Sequence, residues 1–400
     1  MKPALVTGAC GFCGGHMVKL LADEGVPVRA TDLESAAGDP GIRFVQENLG
    51  IDFNRKGVEF VPSDLTDKAS LKAALKGVGT VYHTASLYDY SAPMEALEKV
   101  NLYGTTNLCE AMVEEGVDRV IHWSTAGVYG HPNPPRSFLN PFRVWYEMYD
   151  FFFGRPFDKG RPYVRPQGHP TNQPFTEEGS TPLNTPGDQP KGTWLVNDYS
   201  ITKWKQEQIV QRFGKEQGLK WTIIRPAPLY GPGSAYGIGG IIIAIAEGMT
   251  NVAFLDLRNY LMANCHVRDI VRAAHFVAQR DDTVGEDYNV SDPDVISQLD
   301  LVMDSALLLG RKMHLIPFLR MPWLAPIGIW ISRQVVKNEK KFPNYVRTRM
   351  IEESSIRYLS SSYWISCNKL KGLGFEWEYP DFRIGLKDMV EWFVRVGWIK

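Results

Sequence analysis

The sequence predicts an α/β protein in which a doubly wound parallel sheet is followed by a smaller C-terminal region. Short apolar runs typical of buried strands alternate with helical patterns as far as Arg225. A glycine-rich turn joins the first strand to the first helix, and after Arg225 the alternation gives way to glycine and proline turns. Alternating strands and helices are typical of a parallel sheet with helices on both faces.

The predicted elements begin with a strand–helix–strand unit. It has a strand at Pro3–Thr7, a helix from about Gly14 to Glu24 and a strand at Val26–Thr31. The alternation then continues along the chain. The further predicted strands are Val58–Val61, Thr80–His83, Arg119–Ser124 and Trp221–Ile224, and the predicted helices are Lys68–Leu75, Met94–Glu115 and Ser200–Gln217.

This pattern divides the chain into two regions. We expect a sheet domain at 1–225 and a mainly substrate-binding region at 226–400, from which 266–290 returns to the sheet. An apolar helix is predicted around Ile238–Ala246. The segment 132–194 is rich in proline, glycine and aromatic residues, and irregular segments of that length inside a domain are usually functional. We expect it to cover the site as a lid.

Composition argues against nucleic-acid partners and against secretion. The 44 Lys and Arg residues balance 45 Asp and Glu residues, so the net charge is −1 and no strong field attracts a polyanion. The 5 cysteines are an odd number scattered along the chain, which suits a reducing cytosol better than a disulfide framework. Met1–Thr7 lacks the pattern of a signal peptide. We therefore expect a cytoplasmic protein.

The segment 315–336 is apolar but interrupted by prolines and arginines. It lacks the roughly 18 consecutive apolar residues that a membrane-spanning helix needs. Such a segment can lie on a membrane surface with basic side chains facing the lipid head groups, which makes peripheral membrane contact an expectation. Those basic residues are Arg333, Lys337, Lys340 and Lys341.

The glycine-rich turn has the chemistry of a dinucleotide-binding loop. In Thr7-Gly8-Ala9-Cys10-Gly11-Phe12-Cys13-Gly14, three glycines lie three residues apart between a strand and a helix. They allow a tight turn, close approach of a pyrophosphate to the backbone, and close helix–strand packing. The N-terminus of the helix faces the phosphate charge. The turn therefore predicts a Rossmann domain.

Asp32 indicates which dinucleotide is bound. It ends the second strand about 20 residues after the loop, where a carboxylate can hydrogen-bond the adenosine ribose and repel a 2′-phosphate. The sequence therefore predicts NAD, with NADP less favoured. Arg29 and Arg43 lie close enough in sequence to leave NADP as an alternative.

Cys10 and Cys13 form a C-x-x-C pair inside the loop. A zinc site would need two more ligands at matched spacing, and the other cysteines stand alone, so we predict no metal. Cys13 is also near the N-terminus of the predicted helix, which predicts an unusually acidic thiol that is open to alkylation.

Tyr199 and Lys203 lie four residues apart near the start of a predicted helix. That spacing puts both on one face, where the ammonium would lower the pKa of the phenol toward the range of a general acid or base. Before them, a strand ends in Ser124 and Thr125, whose hydroxyls can hold a substrate oxygen.

Taken together, these motifs resemble the extended short-chain dehydrogenase/reductase family within the NAD-dependent epimerase/dehydratase superfamily. The loop is similar to the family's T-G-x-x-G-F-x-G pattern, and Tyr199 with Lys203 matches its Y-x-x-x-K. The likeness covers residues 1 to about 290. Further matches are Asp64-Leu65, His83-Thr84-Ala85, Asn101-Leu102-Tyr103-Gly104-Thr105, Arg225-Pro226 to Tyr230-Gly231-Pro232, and His266-Val267-Arg268-Asp269.

The resemblance implies roles for individual residues. Tyr199 would exchange the substrate proton, Lys203 would bind the nicotinamide ribose and tune Tyr199, and Thr125 would orient the reacting oxygen. It also implies a homodimer built on the helices that begin near Met94 and Ser200. The implied cofactor-binding residues are Gly8, Gly11, Phe12, Cys13, Gly14, Asp32, Asp64, Leu65, Thr84, Ala85, Asn101, Ser124, Tyr199, Lys203 and Pro226.

Three functions remain open at this point. The leading one is an NAD-dependent oxidoreductase that interconverts a secondary alcohol and a ketone on an apolar, sterol-like substrate. The stretch Pro228-Leu229-Tyr230 resembles the 3β-hydroxysteroid and sterol dehydrogenase branch, and it lacks the Asn that sugar-nucleotide enzymes of the family often carry there. The alternatives are a nucleotide-sugar epimerase or dehydratase and a non-catalytic NAD-binding scaffold or sensor. The intact Thr125, Tyr199 and Lys203 speak against the last.

Overall fold

A computed structural model describes residues 2–90, 92–130, 174–177, 197–317, 319–338, 353–359 and 362–400. Apart from 174–177, the predicted lid up to Trp194 lies outside the described residues, as do Lys340 and Lys341.

The described strands are short and mostly buried. In chain order they are β1 Ala4–Thr7, β2 Val28–Thr31, β3 Val58–Phe60, β4 Thr80–His83, β5 Arg119–Trp123, β6 Lys220–Pro226, β7 Leu229–Tyr230, β8 Val252–Phe254, β9 Leu261–Met262, β10 Cys265–His266, β11 Glu286–Val290, β12 Ile296–Ser297 and β13 His314–Ile316.

The described helices alternate with the strands of the first region and then dominate the second. In chain order they are α1 Phe12–Asp23, α2 Glu34–Ala37, α3 Pro40–Leu49, α4 Lys68–Leu75, α5 Met94–Leu97, α6 Gly104–Glu114, α7 Asp198–Gln217, α8 Ile238–Ala246, α9 Val267–Ala278, α10 Gln298–Leu308, α11 Met321–Lys337, α12 Glu353–Tyr358, α13 Asn368–Gly372 and α14 Phe382–Arg395.

Seven parallel strands form the central sheet in the order β3-β2-β1-β4-β5-β6-β11. The predicted doubly wound α/β fold is confirmed. All residues of β1 and of β5 are buried, as expected for strands whose two faces are both covered by helices. The strand order reverses between β1 and β4, and ligands of such sheets bind in the crevice at the carboxyl ends of these strands.

Helices cover both faces of the sheet. Buried residues of α1 and α9 pack together on one face, and buried residues of α4, α6 and α7 pack together on the other. The segment Glu98–Tyr103 between α5 and α6 is a π-helical stretch, so the predicted helix at 94–115 is continuous but locally widened. Widened turns of this kind often occur at functional sites.

The C-terminal region forms a second core beside the sheet. The predicted apolar helix is present as α8, and it packs with α10, α14 and Tyr230. The segment 286–290 is β11, which pairs with β6 at the edge of the main sheet. The predicted membrane-surface segment consists of the end of β13 and most of α11. No helix among the described residues is long and apolar enough to cross a membrane.

Candidate active site

The glycine loop packs so tightly that side chains would not fit. A Cβ at Gly14 would lie 2.0 Å from the carbonyl oxygen of Gly8. Gly8 has φ = +68°, and a Cβ there would lie 2.8 Å from the Cα of Ala85. Gly11 caps α1 without a side-chain hydrogen bond. The backbone N–H groups of the first turn of α1 are thus presented at the crevice, as an anionic pyrophosphate requires.

Asp32 closes the other side of the loop. One carboxylate oxygen accepts a hydrogen bond from the N–H of Cys10 at 2.9 Å, and the other accepts one from the N–H of Leu33 at 2.8 Å. Burial raises the pKa of Asp32 above its ordinary value, and these two N–H groups act in the opposite direction. The carboxylate therefore stands beside the loop at the end of β2, where the ribose of a dinucleotide is expected.

The two arginines that left NADP open are both engaged elsewhere. The guanidinium of Arg29 donates to Glu59 at 2.9 Å and to two backbone carbonyl oxygens. Arg43 lies 3.8 Å from Glu47, one turn along α3. Arg29 is therefore held by several hydrogen bonds, whereas Arg43 has only this exposed ion pair within its own helix.

Asp64 and Leu65 lie on the turn after β3. One oxygen of the Asp64 carboxylate accepts hydrogen bonds from the N–H and the hydroxyl of Thr66. The residue before Asp64 donates its N–H to the backbone oxygen of Asp32 at 2.9 Å, so both carboxylates belong to one edge of the crevice. Leu65 packs against Gly104, where a Cβ would lie only 2.7 Å from that of Leu65.

Thr84 and Ala85 lock the loop after β4 to the glycine loop. The Thr84 hydroxyl donates to the carbonyl oxygen of Thr7 at 2.6 Å, and the Ala85 N–H donates to the Thr7 hydroxyl at 3.2 Å. The glycine loop after β1 and the loop after β4 are therefore held together at the point where the strand order reverses.

Asn101 lies in the π-helical stretch and uses its side-chain amide within the protein. The oxygen accepts a hydrogen bond from the N–H of Leu87 at 2.7 Å and one from the hydroxyl of Ser86 at 3.1 Å. The nitrogen donates to the hydroxyl of Thr202 at 3.0 Å. Asn101 thus ties the loop after β4 to α7, which carries Tyr199. Its direct contact with the nicotinamide stays a prediction.

Two hydroxyls and a proline stand at the carboxyl ends of β5 and β6. The Thr125 hydroxyl accepts a hydrogen bond from the N–H of Gly127 at 3.1 Å, which leaves its proton for another acceptor. The Ser124 hydroxyl is buried and has no hydrogen-bond partner among the described residues. A Cβ at Gly127 would lie 2.5 Å from the hydroxyl of Ser200, so this turn sits against the start of α7. Pro226 ends β6 at the same edge.

Tyr199 and Lys203 lie in the first turns of α7, and both are buried. The helix begins there because the Asn197 side chain accepts a hydrogen bond from the N–H of Ser200 at 2.8 Å. The Lys203 ammonium donates to the hydroxyl of Ser86 at 3.4 Å. The predicted pair therefore points into the crevice rather than to solvent.

The expectation that Lys203 lowers the pKa of Tyr199 is wrong. Burial raises the pKa of Tyr199 well above its ordinary value, and the neighbouring groups of Tyr88 and Cys13 disfavour a further negative charge there. Burial also lowers the pKa of Lys203 to about 7, although the nearby Glu207 carboxylate has a smaller effect that raises it. Desolvation is thus the largest cause of both pKa shifts.

The expectation of an acidic Cys13 thiol is also wrong. Burial raises the pKa of Cys13 to about 12, because desolvation of a thiolate outweighs the opposing effect of the Lys203 charge. Cys13 is nevertheless close enough to affect the pKa of both Lys203 and Tyr199. The glycine loop and the Tyr–Lys pair therefore meet in one site.

Several residues that build this site were not predicted from the sequence. Tyr88 and Tyr90 lie three and five residues after the matched His83-Thr84-Ala85 stretch, so their place in the chain was a usable signal. Glu207 lies one helical turn after Lys203, so its position in the sequence already indicated that it could be near that residue. Tyr358 is distant in sequence from every motif, and only the tertiary structure brings it to the site.

Comparison with known proteins places most of the chain in one family. The model of the NAD dependent epimerase/dehydratase family matches residues 4–147 and 180–291. That description agrees with the predicted cofactor, NAD.

Similar proteins include sterol and steroid dehydrogenases. The bovine (Bos taurus) sterol-4-alpha-carboxylate 3-dehydrogenase is 35% identical over 127 residues, which are 32% of this chain and 31% of that protein. The Arabidopsis thaliana 3beta-hydroxysteroid-dehydrogenase/decarboxylase isoform 2 is 27% identical over 288 residues, 69% of this chain and 40% of that protein. The chain thus spans less than half the length of these two relatives. Short-chain dehydrogenase/reductase family 42E member 1 of Xenopus laevis is 24% identical and matches 100% of this chain and 90% of its own.

Solved structures share the fold at low sequence identity. A UDP-glucose 4-epimerase from Thermus thermophilus, solved with NAD, has a TM-score of 0.62 at 19% identity and covers 98% of this chain and 99% of its own. A dTDP-glucose 4,6-dehydratase from Streptomyces venezuelae, also solved with NAD, has a TM-score of 0.65 at 19% identity and covers 100% and 99%.

Proposed function

Because the chain belongs to the NAD dependent epimerase/dehydratase family, we propose that it is an oxidoreductase that interconverts a secondary alcohol and a ketone on an apolar substrate. The observation that carries the proposal is the burial of Tyr199 and Lys203 beside the glycine loop, within reach of Cys13 and Ser86.

The residues present fit NAD. The first turn of α1 offers its N–H groups to the pyrophosphate, and the Asp32 carboxylate stands where it would accept hydrogen bonds from the adenosine ribose. Lys203 would bind the nicotinamide ribose from inside the crevice, and Asp64 with Leu65 would border the adenine. When bound, NAD supplies or accepts the hydride.

The proton is handled by residues of this chain. With its raised pKa, Tyr199 holds its proton at neutral pH, so it can donate that proton to a carbonyl oxygen that becomes an alcohol. For the reverse reaction the phenol must first become more acidic, and Lys203 in its charged form would favour this change. Thr125 has a hydroxyl proton to offer to the same substrate oxygen, and Ser124 has a buried hydroxyl without a partner among the described residues.

The engagement of Arg225 within the protein favours an uncharged substrate over a sugar nucleotide. Arg225 is the basic residue of the Arg-Pro-x-x-x-Tyr-Gly stretch, and it is buried in hydrogen bonds to Glu207 and Tyr129. It is therefore not offered to a diphosphate. The similarity to sterol and steroid dehydrogenases points the same way, although it covers only part of those proteins.

The experiment is a substrate screen followed by NADH absorbance. Purified protein is given NAD with 3β-hydroxysteroids or simple secondary alcohols, or NADH with ketones, and UDP- and dTDP-sugars are tested for epimerised or dehydrated products. Turnover of steroids or alcohols that disappears in Tyr199→Phe supports the proposal. Turnover of sugar nucleotides alone contradicts it, and binding of NAD without any turnover favours the scaffold alternative.

We also propose that α11 contacts a membrane surface. Four large apolar residues follow the spacing of one helical face and are 43 to 63% exposed: Trp323, Ile327, Trp330 and Ile331. Tryptophans on such a face and a lysine near the helix end, here Lys337, are typical of helices that lie in the interface of a bilayer. A poorly soluble substrate would be concentrated at that surface.

A homodimer remains part of the proposal. Helices α6 and α7 pack against each other, and Tyr103 before α6 is 70% exposed. Pairing of these helices with their copies in a second chain would cover such residues. Sedimentation equilibrium of the purified protein tests this, and a monomer mass at micromolar concentration would contradict it.

A further inference from the structure

Three further tyrosines lie close to Tyr199. The Tyr88 ring meets the Tyr199 ring edge to face at 5.0 Å between centroids, and the Tyr90 ring does so at 5.6 Å. Tyr88 and Tyr90 also contact each other at 5.3 Å. The third, Tyr358, is hydrogen-bonded through its side chain to Tyr90.

We infer that Tyr88, Tyr90 and Tyr358 form the substrate subsite next to Tyr199, and that it receives a flat, uncharged ring system carrying the reacting alcohol or ketone. This inference rests on the proposed function and adds the residues that select the substrate. One of these residues, Tyr358 of α12, is far from every motif in the sequence.

The subsite is rigidly supported from the sheet side. The backbone of Leu87, which precedes Tyr88, is held by the Asn101 amide, and Asn101 is itself hydrogen-bonded to Thr202 of α7. Tyr88 and Tyr90 thus have their loop fixed to the same helix as Tyr199. Preorganised aromatic side chains lose little conformational entropy when a ligand binds.

Tyr358 is supported from the opposite side. Its side chain is hydrogen-bonded to Asn197, the residue that caps α7. The helix α12 packs against α11, because a Cβ at Gly328 would lie only 3.3 Å from Cγ2 of Ile356, and Arg333 donates two hydrogen bonds to Glu353. The subsite therefore spans two separate parts of the chain, both anchored to the start of the helix that bears Tyr199.

The aromatic side chains of this subsite favour ring systems and disfavour anions. Aromatic faces carry negative charge density and attract the edges of other rings or C–H groups, whereas a phosphate would lose its hydration without gaining a positive partner. Tyr88 is 46% exposed while Tyr199 is 8% exposed, so Tyr88 forms the outer wall and Tyr199 the inner end. A ring substrate entering past Tyr88 would present its oxygen to Tyr199.

The test compares two substrates in matched variants. Wild type, Tyr358→Ala and Tyr358→Phe are assayed with NAD and either a 3β-hydroxysteroid or cyclohexanol, which carries the reacting group on a single ring. Equilibrium dialysis with the steroid and titration with NAD are done in parallel. We expect Tyr358→Ala to lower the ratio of kcat/KM for steroid over cyclohexanol by about tenfold or more, and to weaken steroid binding to match. Tyr358→Phe keeps the ring and should show a smaller loss.

Equal losses for both alcohols, or none for the steroid, would overturn the inference. If Tyr358→Ala does not fold, Tyr88→Ala at the exposed outer wall provides the same comparison. If the wild-type protein turns over none of the alcohols and ketones of the substrate screen, the proposed function fails, and dialysis still decides whether the tyrosine variants weaken steroid binding. The two failures are thus distinguishable.

Discussion

Glu207 holds the guanidinium of Arg225 through two hydrogen bonds, of 2.9 and 2.7 Å, one helical turn beyond Lys203. Both side chains are buried, and Arg225 also contacts Tyr129 and Asp287. A buried charge that loses its partner is costly, whereas an intact buried pair contributes little by itself. The pair therefore fixes α7, and with it Tyr199 and Lys203, against β6.

Glu207→Gln should destabilise the protein by about 1–3 kcal/mol, because the buried Arg225 loses one of its two carboxylate partners and keeps only Asp287. Urea denaturation followed by tryptophan fluorescence measures this change. The matched control is Asp118→Asn, which removes the exposed ion pair with Lys220 and should change stability little. Equal effects of the two substitutions would show that the buried pair has no special role.

Lys203→Met should make the cofactor-free protein more stable at neutral pH. The folded protein lowers the pKa of Lys203 to about 7 from 10.5, so between these values the unfolded chain binds one more proton. The wild-type free energy of unfolding therefore gains up to about 1.4 kcal/mol per pH unit from this group as the pH rises through that range.

The measurement is the difference between the unfolding free energies of wild type and Lys203→Met from pH 7 to pH 10. The advantage of the variant should be greatest near pH 7 and shrink as the pH rises, and contributions from titrating groups that do not interact with Lys203 cancel in the difference. A difference that does not vary with pH would mean that Lys203 keeps an ordinary pKa in the folded protein.

Asp32→Ala should raise the dissociation constant of NAD about ten- to a hundredfold and weaken the preference for NAD over NADP. The reason is the loss of a charged acceptor for the ribose and of repulsion toward a 2′-phosphate. Asp32→Asn is the control, since it can still accept from the N–H of Cys10 but carries no charge. Titration calorimetry with both dinucleotides gives the ratio, and an unaltered ratio in both variants would exclude Asp32 as the ribose contact.

Trp330→Glu and Ile327→Glu should reduce binding to vesicles of phosphatidylcholine and phosphatidylserine, because each puts a charge on the exposed apolar face of α11. Flotation of the vesicles measures the bound fraction. Leu307→Glu is the control, since Leu307 is 65% exposed on α10 and outside that face. Wild-type protein that stays wholly in the soluble fraction would remove the membrane proposal.

The sheet and the glycine loop could be predicted because their signals are local. Buried strands such as 119–123 are short apolar runs, and the spacing of Gly8, Gly11 and Gly14 fixes the loop by sterics alone. The spacing of Tyr199 and Lys203 likewise needs only the geometry of a helix. These features depend on a few adjacent residues, so a single sequence reveals them.

The pKa values and the substrate subsite could not be predicted because they depend on tertiary burial. Desolvation by packing reversed the expected shifts at Tyr199 and Cys13, which sequence spacing does not report. Tyr358 reaches Asn197 only because α12 folds back over the start of α7. The short helix α2 carries no buried residue, and a four-residue exposed helix of this kind leaves little periodic signal.

The most direct test of the account is Tyr199→Phe, measured for NAD binding and for turnover in the same preparation. The substitution removes the phenolic proton and keeps the ring among its neighbouring tyrosines. NAD affinity should change by less than about threefold, while kcat should fall about 10²- to 10⁴-fold because only proton transfer is lost. Turnover that survives unchanged with normal NAD binding would contradict Tyr199 as the group that exchanges the substrate proton.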